Sequence, residues 1–417
     1  MNRRLSDSGW LADGPLAQLL AVLDHAGEEA RVVGGAVRNA MYGQTPDEVD
    51  IATTAMPDTV IERARAAGFK AVPTGIDHGT VTVIVDGRPF EVTTLRKDVE
   101  TYGRKAKVAF GRDWKVDAER RDFTMNALSV DRTGEVFDYV GGLADIDAHR
   151  VRFIGDADKR IAEDYLRILR FFRFHATYGH GAPDPAGLAA CVAAREGLGQ
   201  LSRERIRMEV LKLLRAAHAT PTLAVMAEAG LLEAVLGGVP LLASFENTCK
   251  AERAVGVEGD PVRRLGALAV SVAEDAERLW QRLRLTNSEH RRLVSIGEGW
   301  SQAAPAQGEA AARELLYRLG PDYFLDRVLV AWSRSPAGAA DTTWHELATL
   351  PARWTAPKFP LKAKDFTKRG VEKGPRLGAA LAAAEEAWIA AGFPSDKAAL
   401  DALADAALAA AAGGTAS

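Results

Sequence analysis

Cysteine is nearly absent: Cys191 and Cys249 are the only two in 417 residues. They stand far apart with no metal-ligand spacing around them. That argues against a disulfide framework and against a zinc site, and it fits a reducing compartment, with the cytoplasm as the expectation. Long apolar runs are missing as well. No stretch of 18 apolar residues occurs, so no membrane span is expected. The start, Met1 to Trp10, is polar, carries Asp7 and lacks the apolar core of a signal peptide. An excess of either charge is also lacking. A formal net charge of −3 excludes a generally basic coat, although a local basic patch is compatible with it. No internal repeat of fixed period is visible. What remains is a chain of ordinary globular composition, 47% hydrophobic and 26% charged, long enough for two to four domains.

The most informative stretch is Val32-Val33-Gly34-Gly35-Ala36-Val37-Arg38-Asn39, followed by Glu48-Val49-Asp50-Ile51-Ala52-Thr53-Thr54. Arg31 to Val33 reads as a short buried strand and Ala36 to Tyr42 as a helix that opens directly after the glycines. Glycines at such a turn let backbone N–H groups approach an anion, and a helix start favours negative charge. Alternation along a strand places Glu48 and Asp50 on one face, with Asp47 turned away. Two oxygen ligands on one face suit Mg²⁺ bridging to phosphates.

Further strands are expected at Val49–Thr53, Thr80–Val85, Arg88–Leu95 and Val136–Asp138, with Asp86-Gly87 as a hairpin turn. Residues 1–28 read as a lead-in helix, with Leu16, Leu19, Leu20 and Leu23 at helical spacing. Asp98 to Lys115, with Tyr102, Gly103 and Gly111, reads as a long mobile loop near the site. Beyond residue 155 helical periodicity dominates, with turns near Gly179–Pro185, Gly237–Pro240 and Pro351–Pro360 and an alanine-rich end. The fold class is therefore α+β: a small mixed-sheet head and an elongated, all-helical remainder.

Two later segments carry chemistry. In Glu119-Arg120-Arg121-Asp122-Phe123-Thr124-Met125-Asn126-Ala127, the arginines precede an expected helix start that Asp122 can cap. In Glu163-Asp164-Tyr165-Leu166-Arg167-Ile168-Leu169-Arg170-Phe171-Phe172-Arg173-Phe174, one helix would place Asp164 and Arg167 side by side at i, i+3. An acceptor beside a donor can read an exocyclic amine next to a ring-nitrogen acceptor, the pattern that cytosine and adenine share. Guanine and uracil would leave polar groups unpaired there. Arg170 and Arg173 continue the cationic row.

Gly-Gly-Ala-Val-Arg, the acidic pair before Ile-Ala-Thr, Arg-Arg-Asp-Phe-Thr-Met-Asn-Ala and Glu-Asp-x-x-Arg-x-x-Arg, in this order, resemble the class II tRNA nucleotidyltransferase and bacterial poly(A) polymerase family. Leu201–Glu209 and Asp365–Gly378 look like that family's later helical segments. The resemblance implies a nucleotidyltransferase-type catalytic head at 29–145 behind the 1–28 helix, a neck and body at 146–255 with base and RNA contacts, and a body and tail at 256–417. It implies template-independent addition of C, C and A to the 3′ end of tRNA from CTP and ATP by two-metal nucleotidyl transfer. On that reading Glu48 and Asp50 hold Mg²⁺, and Gly35, Arg38 and Arg121 contact the nucleotide. Asp164 and Arg167 read its base, and Arg170 and Arg173 add further contacts. Glu91 is a candidate third carboxylate or a structural residue. Arg203, Arg205, Arg207 and Lys212 are candidates for RNA phosphates or a solvated face.

Two departures stand out: Glu48, where the family usually has Asp, and Asn39, where Asp is common. A polyadenylating enzyme is the alternative, although its expected long basic extension is replaced here by an alanine-rich, mildly acidic tail. A decayed RNA-binding protein is the second alternative. None of the eight histidines is followed by Asp, so the His-Asp doublet of an appended phosphohydrolase is missing. No obligate protein partner is evident.

Overall fold

The computed structural model describes residues 3–5, 9–102 and 105–413. They form two compact units: one runs to Pro240 and includes Leu279–Leu285, the other comprises Leu241–Arg278 and Thr286–Ser417.

The first unit begins with a helical turn, Gly9–Ala12, and α1 (Pro15–Leu23). Proline at the first turn of α1 needs no N–H partner. Leu16, Leu19, Leu20 and Leu23 are all buried, the lead-in face their spacing predicts. Then follow β1 (Ala30–Val33), α2 (Gly35–Met41), β2 (Asp50–Thr53), α3 (Pro57–Ala66), β3 (Lys70–Gly75), β4 (Thr80–Val85) and β5 (Arg88–Thr94). After β5 come β6 (Arg96–Tyr102), β7 (Lys105–Phe110), α4 (Trp114–Glu119), β8 (Ser129–Val130) and β9 (Val136–Phe137). Seven strands form one mixed sheet in the order β3-β4-β5-β2-β1-β8-β9, and β6 and β7 form a separate ribbon. Only the β2–β5 pair is parallel among the described pairings. The fully buried Val32, Ile51, Val81, Val83 and Val92 fill the interior face.

The β4–β5 hairpin is the one expected: Val85 pairs with Arg88 across Asp86-Gly87, and both turn residues have positive φ. Strand β3 escaped the sequence reading because its exposed residues outnumber its buried ones. The segment from Asp98 is not the expected long loop. The chain folds back on itself instead, pairing Arg96 with Phe110 through Tyr102 with Lys105 to make the antiparallel β6–β7 ribbon, anchored where Gly111 N–H donates to the Leu95 carbonyl at 2.8 Å. Gly103 lies outside the described residues.

The rest of the first unit is helical, including α5 (Ala157–Glu163), α6 (Leu166–Tyr178) and α7 (Arg203–Arg215). The second unit contains helices and no named strand among the described residues. One of its cores is built on Phe324, Val328, Trp332 and Trp344, another on Phe366, Leu377, Ala380, Ala384 and Ala404. Arg263, buried, donates to Glu252 at 2.8 Å and to Asp326 at 3.0 Å, so the charges it buries are paired. No described helix is long and apolar enough to cross a membrane.

Candidate active site

β1 ends where Gly34 turns the chain with φ +72°. Its N–H donates to the Leu128 carbonyl at 3.1 Å and its carbonyl accepts from the Arg38 N–H at 3.1 Å, so the turn is tied at both ends. A Cβ on Gly34 would stand 3.0 Å from Nη1 of Arg121. The missing side chain is what lets that guanidinium lie against the turn. At Gly35 a Cβ would meet Nη2 of Arg38 at 3.5 Å, ordinary contact. Arg38 is buried. It donates to Oδ1 of Asn126 at 2.5 Å and to Oδ1 of Asn39 at 2.9 Å, and its guanidinium lies 4.3 Å from the Tyr178 ring centre. Burial lowers its pKa. Asn39 also accepts from the Tyr178 hydroxyl at 3.1 Å. The neutral amide thus serves two donors at once, where the family commonly has a carboxylate.

Glu48 does not lie in a strand. It sits in a bend, and β2 begins at Asp50. Val49 shows why: Pro46 and Asp47 just upstream favour a turn over extended pairing. Alternation along one strand is therefore not what relates the two carboxylates. Both nevertheless line the same cavity of about 1280 Å³, together with Glu91. The parallel register sets Glu91 of β5 opposite Asp50 of β2. Partial burial of the Asp50 carboxyl is the main cause of a raised pKa, with repulsion from Glu91 and Glu48 adding to it and attraction to Arg121 opposing it. The folded chain thus resists ionisation of Asp50 unless a cation offsets it.

Arg120 and Arg121 do not precede a helix start; they follow the C-terminal end of α4. Both pair back with Asp117, Arg120 at 2.8 Å and Arg121 at 3.3 Å, and these bonds hold the Asp117 carboxyl below its usual pKa despite burial. Only a 3₁₀ turn, Thr124–Asn126, comes next. Asp122 does not cap it through N2 or N3. It accepts from the Phe123 N–H at 2.8 Å, from Asn126 at 2.9 Å and from Arg170 Nε at 2.8 Å. Arg173 donates to Glu209 of α7 at 2.5 Å, and its guanidinium lies 4.3 Å from the Phe174 ring centre.

The run from Glu163 is likewise not one helix. Asp164 is extended (φ −158°, ψ 106°) and separates α5 from α6. Its side chain can satisfy the exposed helix start, and Oδ1 accepts from the Leu166 N–H at 3.2 Å. The Arg167 N–H donates to the Asp164 carbonyl at 3.0 Å, but the two side chains take different partners. Asp164 Oδ2 accepts from Arg205 at 2.6 Å. Arg167 Nη1 donates to the Arg160 carbonyl at 2.7 Å and also to Glu163.

Sequence reasoning missed Asp117, Asn126, Glu163 and Glu209 as the partners of these cations. Asp117 was readable at helical spacing from Arg120 and Arg121. Glu209 lies 36 residues from Arg173, and no local signal marks it.

Among the described residues no three acidic, histidine or cysteine side chains could hold a metal by themselves. The crowding of Glu48 and Glu91 on Asp50 is nonetheless a fit for a divalent cation. Mg²⁺ is usually bound by one or two carboxylates, with substrate phosphates and water completing its shell.

Residues 30–152 match the family model "Poly A polymerase head domain", and residues 182–245 match "Probable RNA and SrmB- binding site of polymerase A". The chain is 34% identical over 393 residues to mitochondrial CCA tRNA nucleotidyltransferase 1 of Mus musculus, covering 92% of this chain and 87% of that protein. It is 40% identical over 222 residues to the CCA-adding enzyme of Geobacillus thermodenitrificans, about half of each chain (52% and 54%). Among solved structures, the Bacillus stearothermophilus CCA-adding enzyme in complex with CTP superposes with a TM-score of 0.71 at 28% identity, over 90% of this chain and 92% of that one. The Thermotoga maritima CCA-adding enzyme, at 18% identity and a TM-score of 0.69 over 98% of both chains, shares the fold. Matched along nearly its whole length, this chain belongs to the family of tRNA nucleotidyltransferases built on a poly(A) polymerase head.

Proposed function

We propose that this protein completes the 3′ end of tRNA, adding CMP and AMP from CTP and ATP without a nucleic-acid template. The observation that carries the reading is the placement of Glu48, Asp50 and Glu91 on one cavity, with Arg121 held against the adjoining glycine turn. Glu48 and Asp50 would hold the divalent cations, taken to be Mg²⁺, with Glu91 beside them. Bound there, the metal supplies activation of the RNA 3′-hydroxyl and neutralisation of charge on the α-phosphate. The hydroxyl releases its proton to solvent as its oxygen bonds to the α-phosphorus, the bond to the bridging oxygen breaks, and pyrophosphate leaves. Arg121 meets the triphosphate charge from the turn. Arg170 and Arg173 add positive charge on α6, and Arg173 keeps Nη1 and Nη2 without a hydrogen-bond partner among the described residues.

Gly35 lets the backbone approach the nucleotide, and Arg38, locked by Asn39, Asn126 and Tyr178, shapes the wall behind it. Asp164 accepts from the exocyclic amine of cytosine or adenine while Arg167 donates to the neighbouring ring nitrogen. In this division of labour the head at 29–145 does the chemistry, 146–255 reads base and RNA, and 256–417 holds the tRNA. The free thiols Cys191 and Cys249 suit a reducing compartment, the cytoplasm. The match to a poly(A) polymerase head favours one second reading, AMP addition to RNA generally.

The test is incorporation of labelled CMP and AMP into a tRNA transcript that ends before CCA. The wild-type protein labels it. Asp50→Ala loses incorporation by at least about a hundredfold, the scale of a lost electrostatic contact at the reacting centre, while tRNA binding stays within a few-fold. A fully active Asp50→Ala protein would refute the assignment.

A further inference from the structure

Asp164 and Arg167 are three residues apart and of opposite charge; with Asp164 extended and outside α6, the helical i, i+3 contact does not fix their relation, and their side-chain partners decide where each charge goes. Paired together, they would present neither a free acceptor nor a free donor to a base. The structure keeps them apart. Arg167 is drawn to Glu163 and to the Arg160 carbonyl, and its Nε and Nη2 have no partner among the described residues. Asp164 is drawn the other way, to Nη2 of Arg205 on α7, 41 residues along the chain, at 2.6 Å. The Arg205 and Asp164 side chains are only 23% and 17% exposed, so solvent screens the pair little.

The backbone at this point is pinned independently. A Cβ on Gly197 would stand 2.0 Å from the Tyr165 ring, so the ring beside Asp164 packs directly on that glycine. With the main chain fixed, the orientation of the carboxylate rests on two contacts. One is the long Leu166 N–H bond at 3.2 Å, the other the short charged bond from Arg205.

We propose that Arg205 is the positioning residue for nucleotide choice: it holds the Asp164 carboxylate away from Arg167 and aims it at the exocyclic amine of the incoming base. This rests on the base-reading role given to Asp164 and Arg167 above. Arg205 touches the nucleotide only through Asp164, and a phosphate-binding role is not needed to account for it.

The test compares kcat/KM for CTP with that for UTP on tRNA lacking CCA, in wild type, Arg205→Ala, Arg205→Lys, Asp164→Ala and the double variant Asp164→Ala/Arg205→Ala, each checked by thermal melting. A misplacement of about 1 Å in a reacting complex can cost on the order of a hundredfold. Arg205→Ala is therefore expected to lower the CTP-over-UTP ratio about tenfold or more, through the KM for nucleotide, with the KM for tRNA unchanged. Arg205→Lys restores part of the ratio, because an ammonium can still reach the carboxylate. The double variant discriminates no worse than Asp164→Ala alone. If Asp164→Ala loses discrimination while Arg205→Ala keeps it and raises only the KM for tRNA, Arg205 is an RNA contact and the inference fails. If Asp164→Ala itself keeps the ratio, the base-reading role fails and takes the inference with it.

Discussion

At the scale of single residues, Asp50 is the site carboxylate whose ionisation the fold opposes. Burial of its carboxyl, with Glu91 and Glu48 nearby, raises its pKa above the ordinary 3.8. The sign of the effect on stability follows from linkage. A raised carboxyl pKa means that the folded state resists ionisation. Below the unfolded value both states are protonated and nothing is lost; as pH rises through the folded value, the folded state pays for the charge. Asp50→Asn is therefore expected to raise the melting temperature at pH 7, with the gain shrinking as pH falls towards about 4. Added Mg²⁺ should raise the melting temperature of wild type more than that of Asp50→Asn. A variant no more stable than wild type at pH 7 would show that the repulsion is relieved some other way. Glu48 was legible as a departure from its family, but its setting was not. The alternation rule treats 48–52 as one strand, whereas the turn-forming Pro46-Asp47 pair delays the strand until Asp50.

At the scale of elements, the strand–turn–helix from β1 to α2 was readable within a residue at each end, because the paired glycines and the flanking valines agree locally. So was the β4–β5 hairpin. The ribbon β6–β7 and the break at Asp164 were not. The ribbon's strands pair with each other and not with the main sheet, which no local signal marks. The break at Asp164 is packed by Tyr165 on Gly197, which tertiary folding brings in from farther along the chain. The β1–α2 turn makes its own prediction. Gly34 adopts φ +72° and ψ −125°, a region nearly closed to other residues. Gly34→Ala is expected to cost about 1–3 kcal/mol of stability. Its Cβ would also push Arg121 from its place 3.0 Å away, lowering incorporation about tenfold. Equilibrium denaturation and a steady-state assay measure the two effects. An Ala variant of unchanged stability and activity would mean that the turn relaxes freely.

At the scale of the whole molecule, a net charge of −3 and the RNA substrate we propose are reconciled by placement. The arginines of the site are gathered on α2, on the C-terminal end of α4 and on α6, each steadied by a named partner: Asn39 and Asn126 for Arg38, Asp117 for Arg121, Asp122 for Arg170 and Glu209 for Arg173. Composition reports only the sum, so the gathering of these arginines on three elements is invisible to it. The helical nature of the second unit was legible from its periodicity. The point where the two compact units part, at Pro240, was not, because the chain returns to the first unit at Leu279–Leu285.

On the function we propose, this chain builds a defined trinucleotide and does so by reading bases with protein side chains. The most direct test is the length and sequence of the product when the full chain, with Mg²⁺, extends a tRNA transcript ending before CCA with CTP, ATP or both. The account predicts two C residues with CTP alone, and C, C and A and then arrest with both. A long A-tract with ATP alone, or no extension under any condition, would contradict it.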